Sequence, residues 1–195
     1  MKRILGLFSL ALVAVLALSA CGSASSGPGS TGSSSSAADF NDADVTFVQS
    51  MIPHHTQAVT MAKMAASHAS SPAVKELATK IEAAQGPEID TMTGWLKAWG
   101  KEATGGSGGM DGMDHGSGSM PGMMDDDQMK SLDSADGASF DQMFLTMMMA
   151  HHQGAIEMAK TEQTAGKNAD AIALAKKIEV DQTAELAQMK DILKS

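Results

Sequence analysis

Apolar residues recur at three- and four-residue steps along four stretches of the chain. In the first, Phe47, Met51, His55, Ala58 and Ala62 share one helical face. The second carries Val74, Leu77, Ile81, Ile89, Met92 and Leu96. The third repeats the first as Phe144, Met148, His152, Ala155 and Ala159, and the fourth carries Ile172, Ala175, Ile178, Leu186, Met189 and Leu193. No period-two alternation is sustained, and Ala and Met dominate, so the pattern predicts an all-α chain. The breaks agree. Asn41 or Asp42 caps the first helix, and Ser71 with Pro72 ends one helix and starts the next. Gly166-Lys167-Asn168 reads as a turn. Pro53 and Pro87 fall inside the first two helices. Each removes an i→i−4 bond, at a cost of ~3 kcal/mol in an unadapted context, and predicts a kink.

The chain repeats itself at an offset of 97. Residues 44–97 align without gaps on 141–194, with 19 identities in 54 positions. Each copy is a helical hairpin, and two hairpins make a four-helix bundle. The bundle is expected over 39–195, with repeat one at 41–100 and repeat two at 139–195. The connection, 101–138, opens with Gly, Met, Asp and His and closes on a short helix expected from Asp126 to Leu132. A connection this long inside a compact domain is functional or disordered.

Residues 1–20 read as a signal peptide. Lys2 and Arg3 precede the apolar run Ile4–Leu18, too short to span a bilayer comfortably. Leu18-Ser19-Ala20-Cys21 resembles a bacterial lipobox, which makes Cys21 the expected lipidation site. Residues 21–38 are Ser, Gly and Ala with one Pro, a composition that cannot bury enough surface to fold and reads as a tether. The expected location is extracytoplasmic, lipid-anchored to a bacterial membrane.

Composition narrows the chemistry. Of 195 residues, 17 are Met, 6 are His and 1 is Cys, and the formal charge is −9. A lone Cys excludes thiolate zinc fingers, iron–sulfur clusters and a disulfide framework. The acidic balance argues against a nucleic-acid partner. No nucleophile–base set or phosphate-binding Gly loop is present. No Glu has His three residues later, as di-iron bundles require.

The strongest constellation is Met51, His54, His55 and Met61 with its copy Met148, His151, His152 and Met158. On a helix, Met51 stands one turn before both histidines, and Met61 lies two turns after His54. Both His pairs fall at mid-helix, so they meet at one height whether the two helices run parallel or antiparallel. A central layer of imidazoles and thioethers is a soft-to-borderline donor set that selects copper, Cu(I) above all. Zinc, which prefers His with Cys or carboxylate, is the second choice. The competing reading of the same residues is a Met/Ala core with hydrogen-bonded histidines. Met110, Met113, His115, Met120, Met123 and Met124 in the connection form a second candidate tract for weak, exchangeable copper binding; the alternative there is a Gly-rich linker.

The doubled Met-x-x-His-His-x-x-Ala-x-x-Met-Ala motif resembles the bacterial family called domain of unknown function 305. Met120-Pro121-Gly122-Met123-Met124 and Phe140-Asp141-Gln142-Met143-Phe144 are similar to it too. The resemblance covers roughly residues 40–195. It implies a ferritin-like bundle, exported or membrane-anchored. Because some members are linked to copper binding and tolerance, it also implies copper at the eight Met and His positions. The expected function is a copper-binding protein that buffers or relays the ion. A metal-free interaction module in the envelope and a copper-dependent redox enzyme are the alternatives, and no residue pattern favours turnover.

Overall fold

The computed structural model describes residues 39–103 and 120–194. They form five helices: α1 (Asp42–His68), α2 (Pro72–Trp99), α3 (Asp126–Asp133), α4 (Gly137–Ala165) and α5 (Ala169–Ile192). Cys21, the 21–38 tether, Met110, Met113 and His115 lie outside the described residues. Among the described residues, no helix is long and apolar enough to cross a membrane.

The caps are those the sequence requires. Asn41 accepts from the amides of Ala43 and Asp44, while Asp44 reaches back to the Asn41 amide in a reciprocal capping box. Ser71 caps α2 ahead of Pro72, and Gly100 ends it in the left-handed conformation. Asn168 caps α5. Helix α1 continues through Pro53 and α2 through Pro87.

Helices α1 and α2 form one hairpin, α4 and α5 the other, and α1 packs on α4. That central pair is antiparallel. Asn41 at the start of α1 donates to the carbonyl of Ala165 at the end of α4, and Ala69 meets Gly137 at the opposite end. Two aspartates at equivalent repeat positions tie the hairpins together. Asp141 accepts from the amides of Ser70 and Ser71 in the α1–α2 turn. Asp44 accepts from the amides of Lys167 and Asn168 in the α4–α5 turn. The start of each hairpin therefore satisfies the exposed amides of the other hairpin's turn, which fixes the crossing of α1 over α4 at their midpoints.

The apolar faces fill two clusters. One contains Met61, Leu77, Phe140, Phe144 and Met148; the other contains Phe47, Met51, Met92, Leu96 and Ile178. Trp99 is buried at one end, stacked on Phe40 with ring centroids 4.8 Å apart and flanked by Trp95 at 6.1 Å. The two Trp residues thus close the bundle end.

Candidate metal centre

The four histidines of the doubled motif are fully buried at the α1–α4 crossing. His54 and His151 lie against each other, ring centroids 3.7 Å apart and planes tilted by 40°. Because α1 and α4 are antiparallel, the adjacent residues, His55 and His152, point to opposite flanks. His55 Nε2 lies 2.9 Å from the Glu88 carboxylate on α2. His152 Nε2 lies 2.5 Å from the Glu185 carboxylate on α5. The two pairs are related by the offset of 97.

Hydrogen-bond partners fix the tautomers. The Pro121 carbonyl, 3.1 Å from His54 Nε2, can only accept, so His54 carries its proton on Nε2. The carboxylates of Glu88 and Glu185 accept from the Nε2–H of His55 and His152. The other nitrogen of each of these three rings, Nδ1, is buried without a hydrogen-bond partner. Neither nitrogen of His151 is in a well-formed hydrogen bond.

Burial, reinforced by the neighbouring His55 and His152, lowers the His54 pKa to about 3 against the opposing pull of the Pro121 carbonyl. Burial and the surrounding imidazoles hold His151 well below its usual range. Both rings are neutral at physiological pH, the form that ligates metals. Burial works against ionisation of Glu88, but hydrogen bonds from His55 and Lys177 outweigh it and hold the carboxyl below its ordinary value. Each unsatisfied buried polar group costs ~1–3 kcal/mol. The layer holds five buried imidazole nitrogens without a hydrogen-bond partner, of which at most four can offer a lone pair, because neutral His151 keeps one N–H.

The methionines of the doubled motif are divided between the two core clusters. Met51 and Met148 are fully buried one turn before their His pairs. Met61 and Met148 share one cluster with Met124, a residue the sequence places in the connection. Met51 belongs to the other cluster, and Met158 is only partly buried against it. Met158 instead lines a surface cavity of about 230 Å³ with Phe47 and Glu162. Met120 and Met123 are partly buried. Among the described residues, no three His, Cys, Asp or Glu side chains form a group that could hold a metal ion. The other candidate donors of the doubled motif are the methionine sulfurs.

Met120–Met124 forms a strap over the imidazole pair. Gln57 holds it by two hydrogen bonds to Met124, donating to the carbonyl at 2.7 Å and accepting from the amide at 2.8 Å. On α4 the equivalent repeat position is Gly154, where a Cβ would overlap the Pro121 carbonyl. At Gly122, in a left-handed conformation (φ 77°), an added Cβ would lie 2.4 Å from the Ala150 carbonyl oxygen. Only glycine fits at both contacts. His68 is away from this layer, its Nδ1 2.8 Å from Asp136.

Sequence reasoning missed Glu88 and Glu185. The available signal was their identity in both copies, 33 residues after His55 and His152 respectively.

Comparison with known proteins places this geometry in a family. A curated relative, the uncharacterized protein L153 of Acanthamoeba polyphaga mimivirus, is 40% identical over 53 residues, 27% of this chain and 35% of that protein. The chain thus matches about a third of that relative's length. A crystal structure of a DUF305 protein from Streptomyces coelicolor, described as secreted, superposes with a TM-score of 0.69 at 32% identity, covering 78% of this chain and 92% of that one. CopM in its Cu(II)-bound form superposes with a TM-score of 0.65 at 32% identity, covering 77% and 95%. CopM is also known in Cu(I)-bound and silver-bound forms. The family model called domain of unknown function (DUF305) matches residues 44–193. With that match over most of its length, and the all-helical bundle it shares with the solved structures, this chain belongs to the DUF305 family.

Proposed function

We propose that this protein is an extracytoplasmic, lipid-anchored copper-binding protein that buffers or relays the ion through its buried Met/His layer. The observation that carries this reading is the contact of two neutral, fully buried imidazoles, His54 and His151, among nitrogens that have no hydrogen-bond partner. Sulfur from Met51 and Met148 one turn away completes a donor set suited to Cu(I). The CopM structures with copper and silver support the same chemistry by similarity. Thioethers lose no proton and form no disulfides, so they suit an oxidising space outside a membrane. The anchor at Cys21 rests on the lipobox-like sequence. In this account Met120, Met123 and Met124, with Met110, Met113 and His115, first collect the ion.

The test is a Cu(I) titration of residues 39–195 against a competing chelator. Replacing His54, His55, His151 and His152 together by Ala is expected to abolish tight binding. The milder Met51→Leu/Met148→Leu pair preserves core volume and should weaken affinity at least tenfold in a folded protein. Wild-type affinity in both variants would overturn the assignment.

A further inference from the structure

The carboxylates behind the histidines invite a specific role, one that rests on the copper reading above. We propose that Glu88 and Glu185 are positioning residues, each presenting the Nδ1 lone pair of its own histidine, His55 or His152, to copper on its own flank of the α1–α4 pair, and that Lys177 makes these two half-sites unequal. Each carboxylate takes the Nε2–H of its imidazole, at 2.9 Å and 2.5 Å. That bond fixes ring orientation and leaves Nδ1, buried and unpartnered, as the donor atom. A carboxylate behind a ligating imidazole also makes it a stronger electron donor.

The inequality comes from one change between the copies. Lys177 of α5 crosses to Glu88 at 2.9 Å and is held there by Asp181 at 2.6 Å. Its repeat counterpart, Lys80, turns outward to Glu76 at 2.7 Å. Asp181 corresponds to Ala84, so the first hairpin lacks the carboxylate that would hold a lysine in the same place. Both carboxylates pair with their histidine, but Glu88 alone of the two also carries a lysine ion pair among the described residues. The more negative half-site, and the better donor, is that of His152. A first Cu(I) ion binds on that side.

Two measurements separate this inference from the copper reading. In the metal-free protein, ¹⁵N–¹H correlation spectra report the tautomers directly. His55 and His152 should be Nε2–H in the wild type, and Glu88→Gln and Glu185→Gln should each perturb its own ring alone. With copper, Glu185→Gln should weaken the first binding step 10- to 100-fold, the range for loss of such a partner. Glu88→Gln should weaken it less, and Lys177→Met should narrow the difference between half-sites. Nδ1–H tautomers in the wild type, or equal losses in the two Gln variants, would overturn the inference while leaving copper binding intact. A wild type with no affinity for copper would overturn the copper reading, and with it the proposed order of binding.

Discussion

The two ends of the α1–α4 crossing are built from the same repeat and differ in what surrounds one aspartate. At the Asp141 end, the carboxylate accepts from Ser70 and Ser71. Phe140 is fully buried there, and Met143 and Met147 are partly buried against the same cluster. At the Asp44 end, the equivalent positions are Ala43, Thr46 and Ser50, which leave the cavity of about 230 Å³. Glu162 stands there where the other copy has Ala65. Burial, then the hydrogen bond and charge of Asp44, lift the Glu162 pKa to about 8. The interactions common to both ends hold the fold. The differences concentrate a buried acid pair and open space at one end.

The comparison breaks most visibly at the shared aspartates. Asp141→Ala leaves the Ser70 and Ser71 amides without their acceptor and should cost about 3 kcal/mol. Asp44→Ala removes the same kind of bonds but relieves Glu162 of a neighbouring charge, so it should cost about 2 kcal/mol. Urea denaturation at pH 7 checks the order; a larger loss for Asp44→Ala would contradict it.

The second asymmetry is at the strap, where Gln57 of one copy binds it and Gly154 of the other makes room for it. Gly154→Ala forces the Pro121 carbonyl away and should cost about 2 kcal/mol. Gln57→Ala should cost about 1 kcal/mol. Denaturation midpoints, with amide exchange at Met124, measure both.

The Asp44 end also differs from the Asp141 end in its pH dependence. With its pKa raised from 4.5 to about 8, Glu162 binds a proton in the folded protein that the unfolded chain has released. Its contribution is therefore most favourable below pH 4.5 and is lost as pH rises through about 8. Between pH 5 and 9 the wild-type Tm should fall by about 10 °C relative to Glu162→Gln, whose profile lacks this component. Parallel profiles in thermal scans would show that Glu162 is ionised throughout.

Much of this molecule was legible in its sequence because helical period, caps and the 97-residue offset are local or self-referential signals. Ser71-Pro72, Asn41 and Gly166-Lys167-Asn168 marked their boundaries correctly, and the mid-helix His pairs placed a central layer. Period alone assigns a residue to a face and says nothing of the neighbour it meets. The antiparallel sense of α1 and α4 therefore came from the Asp44 and Asp141 ties. The pairing of His55 with Glu88 depended on the register of α1 against α2, which no motif encodes. Met158, spaced like Met61, sits beside the cavity because Ala43, Thr46 and Ser50 are small. Met124 joins the core because Gln57 anchors the strap, a contact across 67 residues.

The central claim is that copper is held by imidazole nitrogen and thioether sulfur at the α1–α4 crossing. X-ray absorption at the copper edge, on protein loaded with one equivalent of Cu(I), reads those donors directly. The account predicts both nitrogen and sulfur scatterers, with the sulfur contribution reduced in Met51→Leu/Met148→Leu and the nitrogen contribution reduced in His54→Ala/His151→Ala. A shell without sulfur, or one unchanged by these substitutions, would contradict it.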